Sequence, residues 1–165
     1  MNLPAVDKAI INASPLICLA RSQNLYLLQG FAHEIWVPEP VAQEILYRGP
    51  KDITAKAIEQ TKWLIIQEMS NTPSIITEWC LGAGESSVLT LARQHLGTET
   101  IIDDLLGRKC AASLGIPVRG TLGIVLAAKK RGIIAKARPV IKDITNAGLY
   151  LSRKVVDSAL SKVGE

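Results

Sequence analysis

A chain of 165 residues, 48% hydrophobic and 21% charged, has the length of one domain and enough apolar surface for a core. The composition is globular, with no low-complexity tract and no repeat, and no apolar run approaches the roughly 20 residues of a membrane span. The net charge of +4 divides unevenly: residues 1–118 carry 9 basic and 12 acidic side chains, residues 119–165 carry 10 and 3. An acid-lined site beside a basic segment suits a metal-dependent enzyme acting on a polyanion, though a basic C-terminal surface also serves solubility alone. The first residues lack a basic stretch and place Asp7 ahead of the first apolar run, so no signal peptide is expected. Cys18, Cys80 and Cys110 are odd in number, lack CxxC spacing and each fall in a helical pattern. Buried, reduced thiols of a cytoplasmic protein are expected from them, not disulfides or zinc. His33 and His95 are the only histidines and stand far apart, which argues against a histidine-based metal or triad site.

In chain order, residues 8–12 read as a buried strand ending at Asn12. Ser14 and Pro15 then look like the N-cap and first position of a helix over 16–20, and a short helix follows over 25–28. A strand at 34–37 is broken by Pro38 and Pro40. The next helix, 41–47, turns Ala42, Ile45 and Leu46 inward, with Glu44 beside that stripe. Residues 52–61 give a polar amphipathic helix, 63–67 a strand and 74–81 a short helix. Gly82 and Gly84 punctuate the entry to a helix whose inward face runs through Glu85, Val88, Leu89, Ala92 and Leu96. A strand at 100–103 ends in Asp103-Asp104. A helix then runs to Leu114, with Gly115 as its terminating glycine. Residues 116–118 suit an edge strand, since Pro117 cannot donate to a ladder. Gly120-Thr121 opens a helix to about 130, and 137–160 holds one or two amphipathic helices. Strands alternating with helices imply an α/β fold, a single-domain αβα sandwich on a mostly parallel sheet of about five strands. The basic stretch 135–165 is a helical extension of the same domain.

Asn12, Asp103-Asp104 and Gly120-Thr121 all fall at the C-terminal ends of their strands, where open parallel sheets bind ligands. Glu85 lies on an apolar stripe, where a carboxylate has little structural use. Glu44, Glu85, Asp103 and Asp104 together would offer the hard oxygen ligands that Mg²⁺ and Mn²⁺ favour. Such ions can activate water against a phosphodiester. Each residue also has a purely structural explanation. Glu85 suits a helix first turn, one of the two aspartates could cap the next helix, and Thr121 could be an N-cap. Asn12 could serve only an Asx-type turn. Arg108, Arg119, Lys129, Lys130 and Arg131 are candidate phosphate contacts.

The segments AIINASPLICLA (9–20), VPEPVAQEI (37–45), GAGESSVLTLA (82–92), TIIDDLLGRKCAASLGIPVRGTLGIVLAAKKRGII (100–134) and LSRKVVDSALSKVGE (151–165) resemble, in order and spacing, the PIN-domain family of small metal-dependent ribonucleases. The likeness is strongest to the branch related to the toxins of toxin–antitoxin pairs. It implies an acidic pocket binding Mg²⁺ or Mn²⁺ and cleavage of single-stranded RNA by an activated water. It also implies a homodimer, neutralised in the toxins by an antitoxin protein. By position, the family's acids fall at Asn12, Glu44, Glu85 and either Asp103 or Asp104, and its polar residue after the last strand at Thr121. Metal ligation then falls to Asn12, Glu85 and the two aspartates, and substrate contact to Ser14, Arg108, Arg119, Lys129 and Lys130. The departure is Asn12, where the family has Asp: an amide oxygen can ligate a cation but brings no charge. A weak nuclease, or a PIN-like module that binds RNA or protein without cutting, is the alternative. A flavodoxin-like or phosphotransfer domain is disfavoured, because no phosphate-cradling Gly-rich loop is present.

Overall fold

A computed structural model describes residues 6–165. Five strands, all parallel, form one sheet in the order β3-β2-β1-β4-β5, with helices on both faces. They are β1 (Val6–Ile11), β2 (Ala32–Pro38), β3 (Leu64–Gln67), β4 (Glu99–Ile101) and β5 (Val118–Arg119). β1 is central, pairing Ile10 with Trp36 of β2 and with Thr100 of β4. Ala9, Ile10 and Ile11 are wholly buried, as the apolar run of a strand covered on both faces requires. From β1 the chain steps outward to β2 and β3, then crosses back to place β4 on the other side of β1. The direction of winding therefore reverses between β1 and β4, and the crevice past their carboxyl ends is where such sheets bind ligands.

The helices are α1 (Ala13–Arg21), α2 (Leu27–Phe31), α3 (Glu39–Leu46), α4 (Ile53–Gln60), α5 (Ser74–Thr77), α6 (Ala83–Gln94), α7 (Leu105–Ser113), α8 (Thr121–Lys130), α9 (Ala137–Asn146) and α10 (Arg153–Lys162). α9 packs on α1 and α8, and α10 on α8 and α9. Val140, Ile141, Ile144 and Leu160 bury their side chains in the common core, so the basic C-terminal stretch is part of the same globule.

Several local expectations are corrected. α1 starts at Ala13 with Asn12 as its N-cap residue, which puts Pro15 third in the helix and leaves Ser14 uncapping. α8 takes Gly120 as its N-cap and Thr121 as its first helical residue. β2 runs over Ala32–Pro38 rather than 34–37, with Pro38 as its last residue, paired with Gln67. Pro117 precedes β5, accepting the Thr100 N–H and hydroxyl on its carbonyl at 2.9 Å. α5 stops at Thr77, so Cys80 lies outside it, exposed, with φ +52°; only Cys18 and Cys110 are buried thiols. Leu96 was expected to face inward, but α6 ends at Gln94 and the helical phase ends with it, leaving Leu96 93% exposed. Leu46, at the last position of α3, is likewise exposed.

Candidate active site

The end of β1 delivers Asn12 into the crevice. Its backbone N–H donates to Ile101 O of β4 at 3.0 Å, and only 3% of the residue is exposed. As an N-cap residue its side chain would ordinarily accept a first-turn N–H of α1, yet it caps nothing. Instead Nδ2 donates to Glu85 Oε1 at 2.9 Å. Glu85 reaches that point from the first turn of α6, which is also a favourable place for its charge. The Asn12 Oδ1 atom is buried without a hydrogen-bond partner, an arrangement that costs about 1–3 kcal/mol when nothing satisfies it.

Glu44 joins them from α3, which packs against α6. The meeting point is Gly84: a Cβ there would lie 2.7 Å from Asn12 Oδ1 and 3.6 Å from Glu44 Oε2. Only a residue without a side chain leaves the orphaned amide oxygen and the Glu44 carboxylate open to each other. Sequence reading marked Gly84 as punctuation before a helix. Its contact role comes from two chain segments arriving from elsewhere.

The aspartate pair divides. Asp104 is the N-cap of α7, its Oδ2 accepting the Gly107 N–H at 2.8 Å. It stays beside the first group, because Asp104 Oδ2 and Glu85 Cγ both lie within 3.5 Å of the point a Gly107 Cβ would occupy. Asp103 turns the other way. Its Oδ1 accepts the Thr121 N–H at 2.7 Å and its Oδ2 the Thr121 hydroxyl at 2.6 Å. Asp103 therefore satisfies the orphan N–H at the start of α8 from a neighbouring loop, and Thr121 is fully buried. The Arg108 guanidinium lies against Gly120 in the same place, with Asp103 Oδ1 3.1 Å from that glycine's Cβ position.

The expected convergence of all the acids is thus corrected to two adjacent groups, Asn12–Glu44–Glu85 around Gly84 and Asp103–Thr121–Arg108 around Gly120, with Asp104 between them. Among the described residues no three His, Cys, Asp or Glu side chains are grouped so as to hold a metal ion. The reason is that Asp104 caps α7, Asp103 is bonded to the first residue of α8, and the first-strand position offers an amide. An all-oxygen set still remains, one amide and two carboxylates, with Asn12 Oδ1 lacking a partner. That chemistry fits a single hard cation, which needs one or two carboxylates and takes the rest of its shell from water.

Of the expected substrate contacts, Ser14 is exposed and lines a cleft together with Glu44 and Arg21. Arg119 is engaged by Glu99, its Nε donating to Oε2 at 3.2 Å, and stacks over Phe31. Lys129 donates to Ala135 O at 2.6 Å and lies 3.9 Å from Glu165. Lys130 is exposed beside it. Both lysines sit at the far end of α8 from Thr121, on the order of 13 Å away along the axis, so the fold does not bring them to the acids. Sequence reading gave no role to Cys18, which lies near Asp103. Burial first, and the Asp103 charge second, push its thiol up to about 11. It stays protonated at neutral pH and is no nucleophile.

A family profile described as the PIN domain matches residues 8–165. No curated protein matches the chain.

Proposed function

The chain belongs to the PIN-domain family, a nuclease fold, and we propose that it is a Mg²⁺- or Mn²⁺-dependent endoribonuclease cutting single-stranded RNA. In this reading it is a cytoplasmic, toxin-like member, with an antitoxin protein as partner and a homodimer as its working state. The observation that carries the nuclease reading is the meeting of Asn12 Oδ1, Glu44 and Glu85 over Gly84 at the β1/β4 crevice.

Asn12, Glu44 and Glu85 would hold the cation, with Asp104 beside them. Once bound, the cation supplies charge neutralisation and polarises water for attack on a phosphodiester. The chain's own residues do the rest. Asn12 holds Glu85 by Oε1 and so leaves Oε2 free to face the cation. Asp103 fixes the loop after β4 to the start of α8, and Arg108 stands ready for a substrate phosphate. Ser14, at the mouth beside Glu44, can donate its hydroxyl to a neighbouring phosphate.

A second reading, of weak activity or of binding without cutting, is favoured by the Asn12–Glu85 hydrogen bond. Two carboxylates in that position would repel and call for a cation, whereas the amide satisfies Glu85 unaided. The test is cleavage of a mixed-sequence single-stranded RNA with Mn²⁺, Mg²⁺ or EDTA, by the wild type and Asn12→Asp. Metal-dependent cutting by the wild type supports the enzyme. Cutting by Asn12→Asp alone supports the binding module, and no cutting by either refutes the nuclease reading.

A further inference from the structure

A cleft of about 750 Å³ lies between α8 and α10 and opens at Asp103. Its lining carries four cations, Arg108, Arg119, Lys154 and Lys162, against the single acid Asp103. Arg119 is paired with Glu99, which leaves Arg108, Lys154 and Lys162 against Asp103 and a net positive lining. Tyr150, on the connection from α9 to α10, stands on its wall 88% exposed. Leu149 next to it lines this cleft and also the adjoining one that holds Ser14 and Glu44. The basic cleft therefore neighbours the Glu44 cleft across Leu149 and reaches the sheet edge at Asp103.

A basic groove that tracks a backbone, with an exposed aromatic ring set in its wall, is the pattern by which single strands are held without sequence reading. An acidic site cannot by itself attract a polyanion, so the attraction must come from next to it. We propose that the α8–α10 cleft is the track for the RNA strand flanking the cut, with Lys154 and Lys162 on its phosphates and Tyr150 stacked on a base. This takes its substrate from the nuclease reading above, but it concerns binding and stands or falls separately. Of the 10 basic side chains in residues 119–165, it assigns a purpose to two that the sequence pattern did not single out, and none to Lys129 and Lys130.

The test is fluorescence anisotropy of a labelled 12-nucleotide mixed-sequence RNA with the full chain in EDTA, so that no cutting intervenes. The proteins compared are the wild type, Lys154→Ala/Lys162→Ala, Tyr150→Ala, and Lys51→Ala/Lys62→Ala as a control at exposed sites on the α4 side. Circular dichroism checks that each is folded, as substitutions at exposed positions should be. The cleft double variant should bind about tenfold more weakly and lower the salt slope by about 1.4, the loss of two single-strand phosphate contacts. Tyr150→Ala should bind about fivefold more weakly or worse, and the control should match the wild type. Binding by the cleft variants equal to the wild type overturns the proposal, as does an absence of binding by the wild type. Poly-glutamate bound more tightly than RNA through the same lysines would overturn it in favour of an acidic protein partner. The cleavage assay reports separately: RNA bound in the cleft but never cut leaves this inference standing and removes the nuclease reading.

Discussion

Around Gly84, Asn12 and Glu85 share one hydrogen bond and leave an amide oxygen buried without a partner; around Gly120, Asp103 gives both its oxygens to Thr121. Both groups sit at the same sheet edge, on loops following adjacent strands. In the second, both the N–H and the hydroxyl of Thr121 are matched by Asp103, as expected of a closed pair that holds structure. The first is open at one atom and borders an exposed carboxylate. Buried polar groups left open are rare and costly, so an open one points to a missing ligand, whereas the closed one accounts for itself.

The largest effect should come from the closed group. Asp103→Ala strands a fully buried N–H and hydroxyl at Thr121, which should cost about 2–4 kcal/mol by urea denaturation. A loss under about 0.5 kcal/mol would show that the two groups differ less than their hydrogen bonding implies. Gly84→Ala puts a methyl 2.7 Å from Asn12 Oδ1. It should destabilise by about 1–3 kcal/mol and abolish any binding of Mn²⁺ seen by calorimetry. Asn12→Asp sharpens the contrast further. In EDTA at neutral pH the new carboxylate faces Glu85, and the variant should melt below the wild type by about 1–2 kcal/mol. Mn²⁺ should restore it far more than it raises the wild type. The smallest effect concerns Cys18, whose thiol is raised to about 11. A raised pKa favours the protonated native form, so its contribution is complete below the ordinary thiol range and is lost as pH rises towards 11. Alkylation of the native protein at pH 8 should accordingly label the exposed Cys80 and spare Cys18, as read by mass spectrometry.

The strands and the reversal edge were legible in the sequence because parallel strands buried on both faces are written as short unbroken apolar runs, such as Ala9-Ile10-Ile11. Asn12, Glu85 and the aspartate pair were legible because each sits at a strand end or on an apolar stripe. What was not legible depended on atoms from other segments. Nothing in the Asp103-Asp104 pair says which one caps α7 and which reaches across to Thr121. The placement of the start of α8 beside the end of β4 decides it. Leu96 kept the helical spacing on paper, but α6 ended before reaching it. Arg119 and Lys129 read as free cations because Glu99 and Glu165 are 20 and 36 positions away in the chain.

The most direct test of the account is the rate of single-stranded RNA cleavage in Mn²⁺ by the wild type and by Glu85→Gln. Gln keeps the size of the side chain and can still bond the Asn12 amide, so the fold should survive. The account predicts metal-dependent cutting by the wild type and a loss of about 100-fold or more in the variant. Equal cutting by the two proteins would contradict the assignment of this crevice as the active site.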